Sequence, residues 1–159
     1  MPHYEAYLAG PTASYFEPVA FKISAYYYEK KNYESARIYY LKLEQYASKP
    51  NNINAAKIGL MRCEFLLKNY QEANNYAKQV REISGLNQPL KVEAEYAYGM
   101  SAFYLNNYST AETSLRWLVK NTGTIKGAEA KYTLAEIQFK NNVLDSAVIL
   151  VKELLKMKP

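Results

Sequence analysis

The chain has 159 residues, a length that suits one structural unit with a sizeable core rather than two ordinary globular domains. Hydrophobic residues make up 49% of the chain and charged residues 22%, with six Gly and six Pro, so the composition favours a folded protein over a disordered one. The formal net charge is +5, but 20 Lys and Arg are interleaved with 15 acidic residues and form no run of five, which argues against a nucleic-acid partner.

The first predicted segment, residues 1–16, is the tail of a preceding helix or a linker, because Tyr4 to Gly10 resembles the end of a second helix. This segment lacks the basic and then apolar regions of a signal peptide, although such a signal could have been removed. No stretch of the chain approaches the ~20 apolar residues of a membrane span. We therefore expect no membrane span, and the compartment stays open at this point.

A seven-residue phrase then recurs four times. Its copies are KKNYESA (Lys30 to Ala36), LKNYQEA (Leu67 to Ala73), LNNYSTA (Leu105 to Ala111) and NNVLDSA (Asn141 to Ala147). The final alanines, which we call the marker alanines, are 37, 38 and 36 residues apart. A period in this range is typical of a helical solenoid.

Each copy lies between two apolar stretches of helical period, which predicts a helix-turn-helix hairpin. The predicted repeats occupy about 17–53, 54–91, 92–127 and 128–159, and the segments SKPNN, GLNQP and NTGTIKG separate them. Asn tolerates the left-handed conformation that ends a helix, so we expect it at the turns. The candidates are Asn32, Asn69, Asn106 or Asn107, and Asn141 or Asn142.

Four further columns repeat in phase with the marker alanines and predict the core. Twelve residues before the markers are Ser24, Met61, Gly99 and Ala135; thirteen before are Ile23, Leu60, Tyr98 and Leu134; seven after are Leu43, Val80, Leu118 and Leu154. Eight residues before the markers are the aromatic residues Tyr28, Phe65, Phe103 and Phe139. We expect these aromatic rings to pack between neighbouring hairpins rather than to bind a ligand.

The small-residue column, the Tyr before the marker and the aromatic at the end of the first helix resemble the tetratricopeptide repeat over residues 17–159. The resemblance implies an all-α, right-handed superhelix of about four hairpins. Met61 and the Val143-Leu144 pair depart from the pattern. The longer, Tyr-rich repeats are also similar to bacterial cell-envelope repeat proteins of the outer-membrane assembly lipoprotein and Tol-Pal coordinator types, which would place the chain in the periplasm or cell envelope.

The residue inventory argues against an enzyme. The single histidine, His3, and the single cysteine, Cys63, provide neither a catalytic pair on a rigid scaffold nor a zinc site, and no Gly-rich phosphate loop occurs. Cys63 lies in an apolar run and is predicted to be a buried, reduced thiol. We therefore predict no catalytic residues, no metal and no cofactor.

The resemblance implies that function lies on the concave surface lined by the first helices, and offsets from the marker alanines identify candidates. The predicted partner-binding residues are Tyr28, Arg62, Tyr96, Met100, Tyr104, Glu136 and Lys140. Tyr96, Met100 and Tyr104 follow one another at i, i+4 and i+8, which predicts a single exposed stripe. The resulting hypothesis is a protein-interaction module that binds a partner peptide or helix in a concave aromatic groove.

Two alternatives stay open. The chain could be a purely structural segment of a larger envelope assembly, or, in third place, its Lys residues could bind RNA or an anionic surface. The last predicted helix is apolar on more than one face, through Ala147, Val148, Ile149, Leu150, Val151, Leu154 and Leu155. We therefore expect either a longer protein of which this chain is an excerpt, or packing of the C-terminal helix on another molecule, including self-association.

Overall fold

A computed structural model describes residues 15–156 of the chain. These residues form eight α-helices and no strand, which confirms the predicted all-α fold. The helices are α1 (Phe16–Glu29), α2 (Tyr33–Tyr46), α3 (Pro50–Leu66), α4 (Tyr70–Arg81), α5 (Gln88–Tyr104), α6 (Tyr108–Asn121), α7 (Ile125–Lys140) and α8 (Leu144–Lys156). Most of the predicted N-terminal segment 1–16, including His3, lies outside the described residues.

The helices pair into four antiparallel hairpins, which confirms the predicted repeat unit. The chain divides into two compact units, Met1–Ile83 and Ser84–Pro159, and each contains two hairpins. In the first unit, α3 packs against both α1 and α2 of the preceding hairpin. In the second unit, α7 packs in the same way against α5 and α6. The first helix of one hairpin therefore covers a surface shared by both helices of the hairpin before it.

The recurring phrase forms the same turn in all four hairpins. After α1, the N–H of Lys31 donates to the carbonyl of Tyr28 and the N–H of Asn32 donates to the carbonyl of Tyr27, both at 2.9 Å. This pair of bonds is the Schellman arrangement, which satisfies the last carbonyls of a helix. Equivalent bonds end α3, α5 and α7.

The prediction of which residue is left-handed was correct for only two of the four turns. Asn106 and Asn142 have φ of 60°, but Lys31 and Lys68 occupy that position in the first two hairpins, with φ of 58° and 62°. In the first hairpin, the Asn that follows this lysine caps the next helix. The side chain of Asn32 accepts a hydrogen bond from the N–H of Ser35 at 3.1 Å and so caps the start of α2.

The predicted core columns are buried except at Tyr98 and Leu154, which are partly exposed. All four marker alanines are buried, as are the residues twelve before them. Leu43, Val80 and Leu118, seven after the markers, have no exposed surface. Small residues at these contacts let the paired helices approach closely. At Gly99, for example, an added Cβ would lie 3.0 Å from the Cβ of Ser114 on α6.

The aromatic column packs within hairpins, and its last member does not pack as predicted. The rings of Tyr28, Phe65 and Phe103 are partly buried and contact the Tyr of the following phrase, with ring centroids 5.5, 6.1 and 6.0 Å apart. In the fourth hairpin Leu144 replaces that Tyr, and Phe139 is 68% exposed. The prediction that this column packs between neighbouring hairpins therefore fails for Phe139, whose hairpin has Leu144 at the position of the partner Tyr.

Polar contacts join consecutive hairpins within each unit. In the first unit Arg37 on α2 forms an ion pair with the buried Glu64 on α3 at 3.6 Å. In the second unit the Gln138 amide on α7 donates to Glu112 on α6 at 3.0 Å. Both contacts join the residue just after a marker alanine to the residue nine before the next marker. They therefore occupy the same place in both units.

Glu17 on α1 joins the first hairpin to the segment leading into the second. Its carboxylate accepts hydrogen bonds from the Ser48 Oγ at 2.7 Å and the Ser48 N–H at 2.9 Å, and a further one from the Asn52 amide. These donors, the Ser48 hydroxyl foremost, lower the pKa of Glu17 to about 2. The ionised carboxylate is therefore the form that holds this junction together.

Candidate protein-binding groove

The predicted exposed stripe on α5, formed by Tyr96, Met100 and Tyr104, is largely covered, and the prediction is wrong for Met100. Met100 is buried, and its Sδ lies 3.6 Å from the Thr133 hydroxyl on α7. The Tyr96 hydroxyl donates to Glu129 of α7 at 2.8 Å, and Lys126 lies over the Tyr96 ring. Two of the three residues therefore contact the next hairpin, because α7 crosses this side of α5. Only Tyr104, at the end of the helix, is exposed as predicted.

Glu136 and Lys140, the two charged candidates on α7, form an ion pair at 3.1 Å. The Lys140 ammonium also lies 5.1 Å from the ring centroid of Phe103 and 5.3 Å from that of Tyr108. Its hydrogen bond to Glu136, followed by that to Tyr108, raises the pKa of Lys140 above its ordinary value. Lys140 therefore ties α7 to the preceding hairpin.

The remaining two predicted residues lie in the first unit. Tyr28 packs against Tyr33 and against the core that contains Phe16 and Leu43, as expected for the core interpretation of its column. Arg62 lies on α3 and is partly exposed. Tyr28 is therefore a packing residue, and a binding role for Arg62 stays a prediction.

An apolar groove, which we call the terminal groove, lies between α7 and α8 in the second unit. It has a volume of about 530 Å³. Its lining residues are Tyr132, Ala135, Glu136, Phe139, Ala147, Val148, Val151 and Lys152. Tyr132 is 63% exposed, Val148 50% and Val151 43%, so large apolar side chains face solvent on both walls. A contiguous exposed apolar surface makes this groove the candidate interaction site.

The internal repeat shows what occupies such a surface. Each lining residue of the fourth hairpin has a counterpart in the third hairpin at the same distance from the marker alanine. The counterparts of Tyr132, Glu136, Phe139, Val148 and Val151 are, in the same order, Tyr96, Met100, Phe103, Glu112 and Leu115. α7 covers that surface: Leu115 has no exposed area, Met100 is buried and Tyr96 is partly buried. In the fourth hairpin, the described residues of the second unit leave the equivalent surface uncovered. The terminal groove therefore has the shape that receives a helix elsewhere in the same unit.

Charged side chains stand at the edges of the terminal groove. Glu136 lies on the α7 wall and Lys152 on the α8 wall. Lys131 and Glu153 join the two helices by an ion pair at 2.9 Å, which holds the walls together. The apolar character of the α8 wall was visible in the sequence, where the last helix is apolar on more than one face. The sequence did not predict that this apolar wall of α8 and the aromatic side chains of α7 line one groove.

Two observations concern metal binding and thiol reactivity among residues 15–156. No group of three His, Cys, Asp or Glu in this range is placed to hold a metal ion. Cys63 is fully buried, as predicted, and burial raises the pKa of its thiol to about 12, so the reactive thiolate is scarce at neutral pH. Within the same range no helix combines the length and apolarity that crossing a bilayer requires.

No protein-family model matches the chain, and no curated protein matches it.

Proposed function

We propose that the chain is a protein-interaction module of the tetratricopeptide type, and that the terminal groove binds a helix of a partner protein. The observation that carries the proposal is the uncovered apolar surface on α7 and α8, at the positions that α7 covers in the preceding hairpin. Burial of these side chains supplies the driving force, at about 25 cal/mol per Å² of apolar area. A helix laid in an apolar groove is an established mode of peptide recognition.

The internal repeat also indicates which helix chemistry suits the groove. On the covered surface of the third hairpin, Gln138 of α7 contacts Glu112, whereas the terminal groove has Val148 at the position of Glu112. An occupant with Gln at that place would bury an amide against an apolar side chain, which costs free energy. An occupant with a small apolar residue there would not. The α5 sequence has Ala102 at the position of Gln138, so it matches the groove better than α7 does.

This reasoning defines a direct test with two synthetic peptides. We expect a labelled peptide of residues 87–104 to bind the chain saturably in fluorescence anisotropy, and a peptide of residues 124–141 to bind more weakly. Val148→Lys should abolish binding, because it places a cation in the apolar groove. Ile149→Lys is the matched control, since Ile149 is the neighbouring residue on α8, is 57% exposed and does not line the groove.

The proposal is wrong if a monomeric chain binds neither peptide, or if both lysine substitutions weaken binding equally. A melting curve for each variant, followed by circular dichroism, shows whether the fold is retained.

The alternative function is a structural segment in which the same groove receives a further hairpin of a larger assembly. The packing of α7 on α5 and α6 supports this alternative, because it shows one hairpin seating the next. A structural contact is permanent, whereas an interaction module exchanges its partner. A peptide that dissociates within seconds to minutes and competes with other helices would favour the interaction module.

A further inference from the structure

The exposed side of α8 carries a stripe of four aliphatic residues at coiled-coil spacing. Leu144, Val148, Val151 and Leu155 are separated by four, three and four residues, and they are 49%, 50%, 43% and 82% exposed. This alternation places one aliphatic residue at every turn along a single side of a helix, which is the pattern that packs against a second helix. Ala147, by contrast, is buried. The stripe is therefore additional to the packing inside the fourth hairpin.

We propose that the occupant of the terminal groove is the α8 helix of a second copy of this chain, packed antiparallel on a two-fold axis. The inference rests on the proposed function and names the partner. In an isologous dimer the same surface serves both copies, so one stripe provides both halves of the contact. Val148 of each copy then packs beside Val151 of the other, and the exposed rings of Tyr132 and Phe139 flank the paired helices.

Charge decides the direction of the pairing. Asp145 and Lys152 each follow a stripe residue by one position and so lie on the same edge of the stripe. In an antiparallel pair these edges meet, and Asp145 of one copy lies near Lys152 of the other, twice across the axis. In a parallel pair this edge meets the opposite edge of the other helix, which carries Ala147 and Leu154. The opposite-charge pairs therefore form only in the antiparallel arrangement.

A head-to-tail contact through α1 of a second copy fits the groove less well. We compare α1 with α7, the helix that covers the third hairpin, at the same distances from the marker alanines. Where α7 has Thr133 and Gln138, α1 has Lys22 and Tyr27. Lys22 would place an ammonium over apolar walls, which is costly. Tyr27 is already stacked on Tyr39 in its own hairpin, with ring centroids 5.6 Å apart. These two residues favour the two-fold arrangement.

The test begins with the oligomeric state of the whole chain in sedimentation velocity. We expect a reversible dimer at about 100 μM or below. Val148→Lys should make the chain monomeric, whereas Ile149→Lys should leave the dimer intact because Ile149 lies off the stripe. Melting curves of the two variants, followed by circular dichroism, distinguish loss of the dimer from loss of the fold.

Two charge variants test the direction. Asp145→Lys and Lys152→Asp should each weaken self-association roughly tenfold at low salt, because two attractive pairs become repulsive. An equimolar mixture of these variants should form a heterodimer of wild-type strength, since one chain then carries a cation at both positions and the other an anion at both. Failure of the mixture to recover association overturns the antiparallel pairing.

Two further outcomes separate this inference from the proposed function. A wild-type chain that stays monomeric but binds the 87–104 peptide overturns the second copy as occupant and leaves the groove as a site for another protein. A monomeric chain that binds no peptide overturns both.

Discussion

Gly59 offers the sharpest test of how consecutive hairpins pack in the first unit. It lies in the middle of α3, and a Cβ added there would lie 2.5 Å from both Cε atoms of the Tyr40 ring and closer still to its Cζ. Carbon atoms in contact normally lie about 3.5–4.0 Å apart, so the Tyr40 ring would have to retreat by about 1 Å. Tyr40 is 7% exposed and packs in a core with Phe16, Ala36 and Leu43, which leaves the ring little space.

Two opposing effects determine the result of Gly59→Ala. Ala is favoured over Gly inside a helix by about 1 kcal/mol. Forcing an extra carbon into a packed core costs about 1–3 kcal/mol, and so close an approach to a buried ring belongs at the upper end. We therefore expect the free energy of unfolding to fall by about 1–2 kcal/mol. The general preference for Ala in helices is overruled by one contact.

Labelling of Cys63 in urea provides the assay. Cys63 belongs to the same core as Tyr40 and has no exposed surface, so its thiol reacts only when the first unit opens. Tyr40→Leu is the control background, because it removes the ring atoms that the new Cβ would contact. In that background Gly59→Ala should become neutral or stabilising. The packing argument is refuted if Gly59→Ala stabilises the otherwise unchanged chain, or if its cost is the same with Leu at position 40.

Two further predictions concern the first unit. The same labelling assay measures the first, and urea unfolding followed by circular dichroism measures the second, because a thiol is almost entirely protonated below pH 4.5. Lys31→Gly should raise the free energy of unfolding by about 0.5–1 kcal/mol, because Lys31 has φ of 58°, a conformation that strains a Lys but not a Gly. Lys30→Gly, at φ of −76°, should bring no gain in stability. Equal effects of the two substitutions would contradict the reasoning. Glu17 has a pKa of about 2 in the folded chain against an ordinary value of 4.5, so its stabilising effect is complete above pH 4.5 and is lost as the pH falls towards 2. The stability difference between wild type and Glu17→Gln should therefore vanish over this range, and a difference that does not change with pH would show that the carboxylate charge is not what matters.

The fold could be predicted from the sequence because its determinants are local and repeated. The marker alanines and the columns in phase with them are set by helical period and by the contact inside each hairpin, and the structure buries them. The turns were predicted at the right places, but Lys31 and Lys68 were not predicted to be left-handed. The Schellman bonds are made by the backbone, so the position after the helix end adopts that conformation even when it holds a residue that is strained there.

The site was harder to predict because it depends on which surface the next helix covers. The i, i+4, i+8 spacing placed Met100 on a stripe with Tyr96 and Tyr104, but the spacing carries no information about α7, which lies over two of the three. The terminal groove needs residues from two helices, and the sequence indicated only the α8 wall. The groove residues can be identified from the repeat only after the structure shows which residues of the third hairpin α7 covers.

The polar contacts between hairpins also affect how the chain assembles. Arg37 pairs with the buried Glu64, which also accepts a hydrogen bond from Asn69 of its own hairpin at 2.8 Å, while Gln138 donates to Glu112, so the two junctions use different partners. A hairpin docked on the wrong neighbour would lose the Arg37 contact of Glu64 or leave the buried Gln138 amide without its acceptor, and each loss costs free energy. These pairs therefore favour docking of each hairpin on its own neighbour over docking on a hairpin that lacks the matching residue. Val148 stands at the position of Glu112 and offers no polar partner, so the fourth hairpin lacks the contact that would select one particular neighbour.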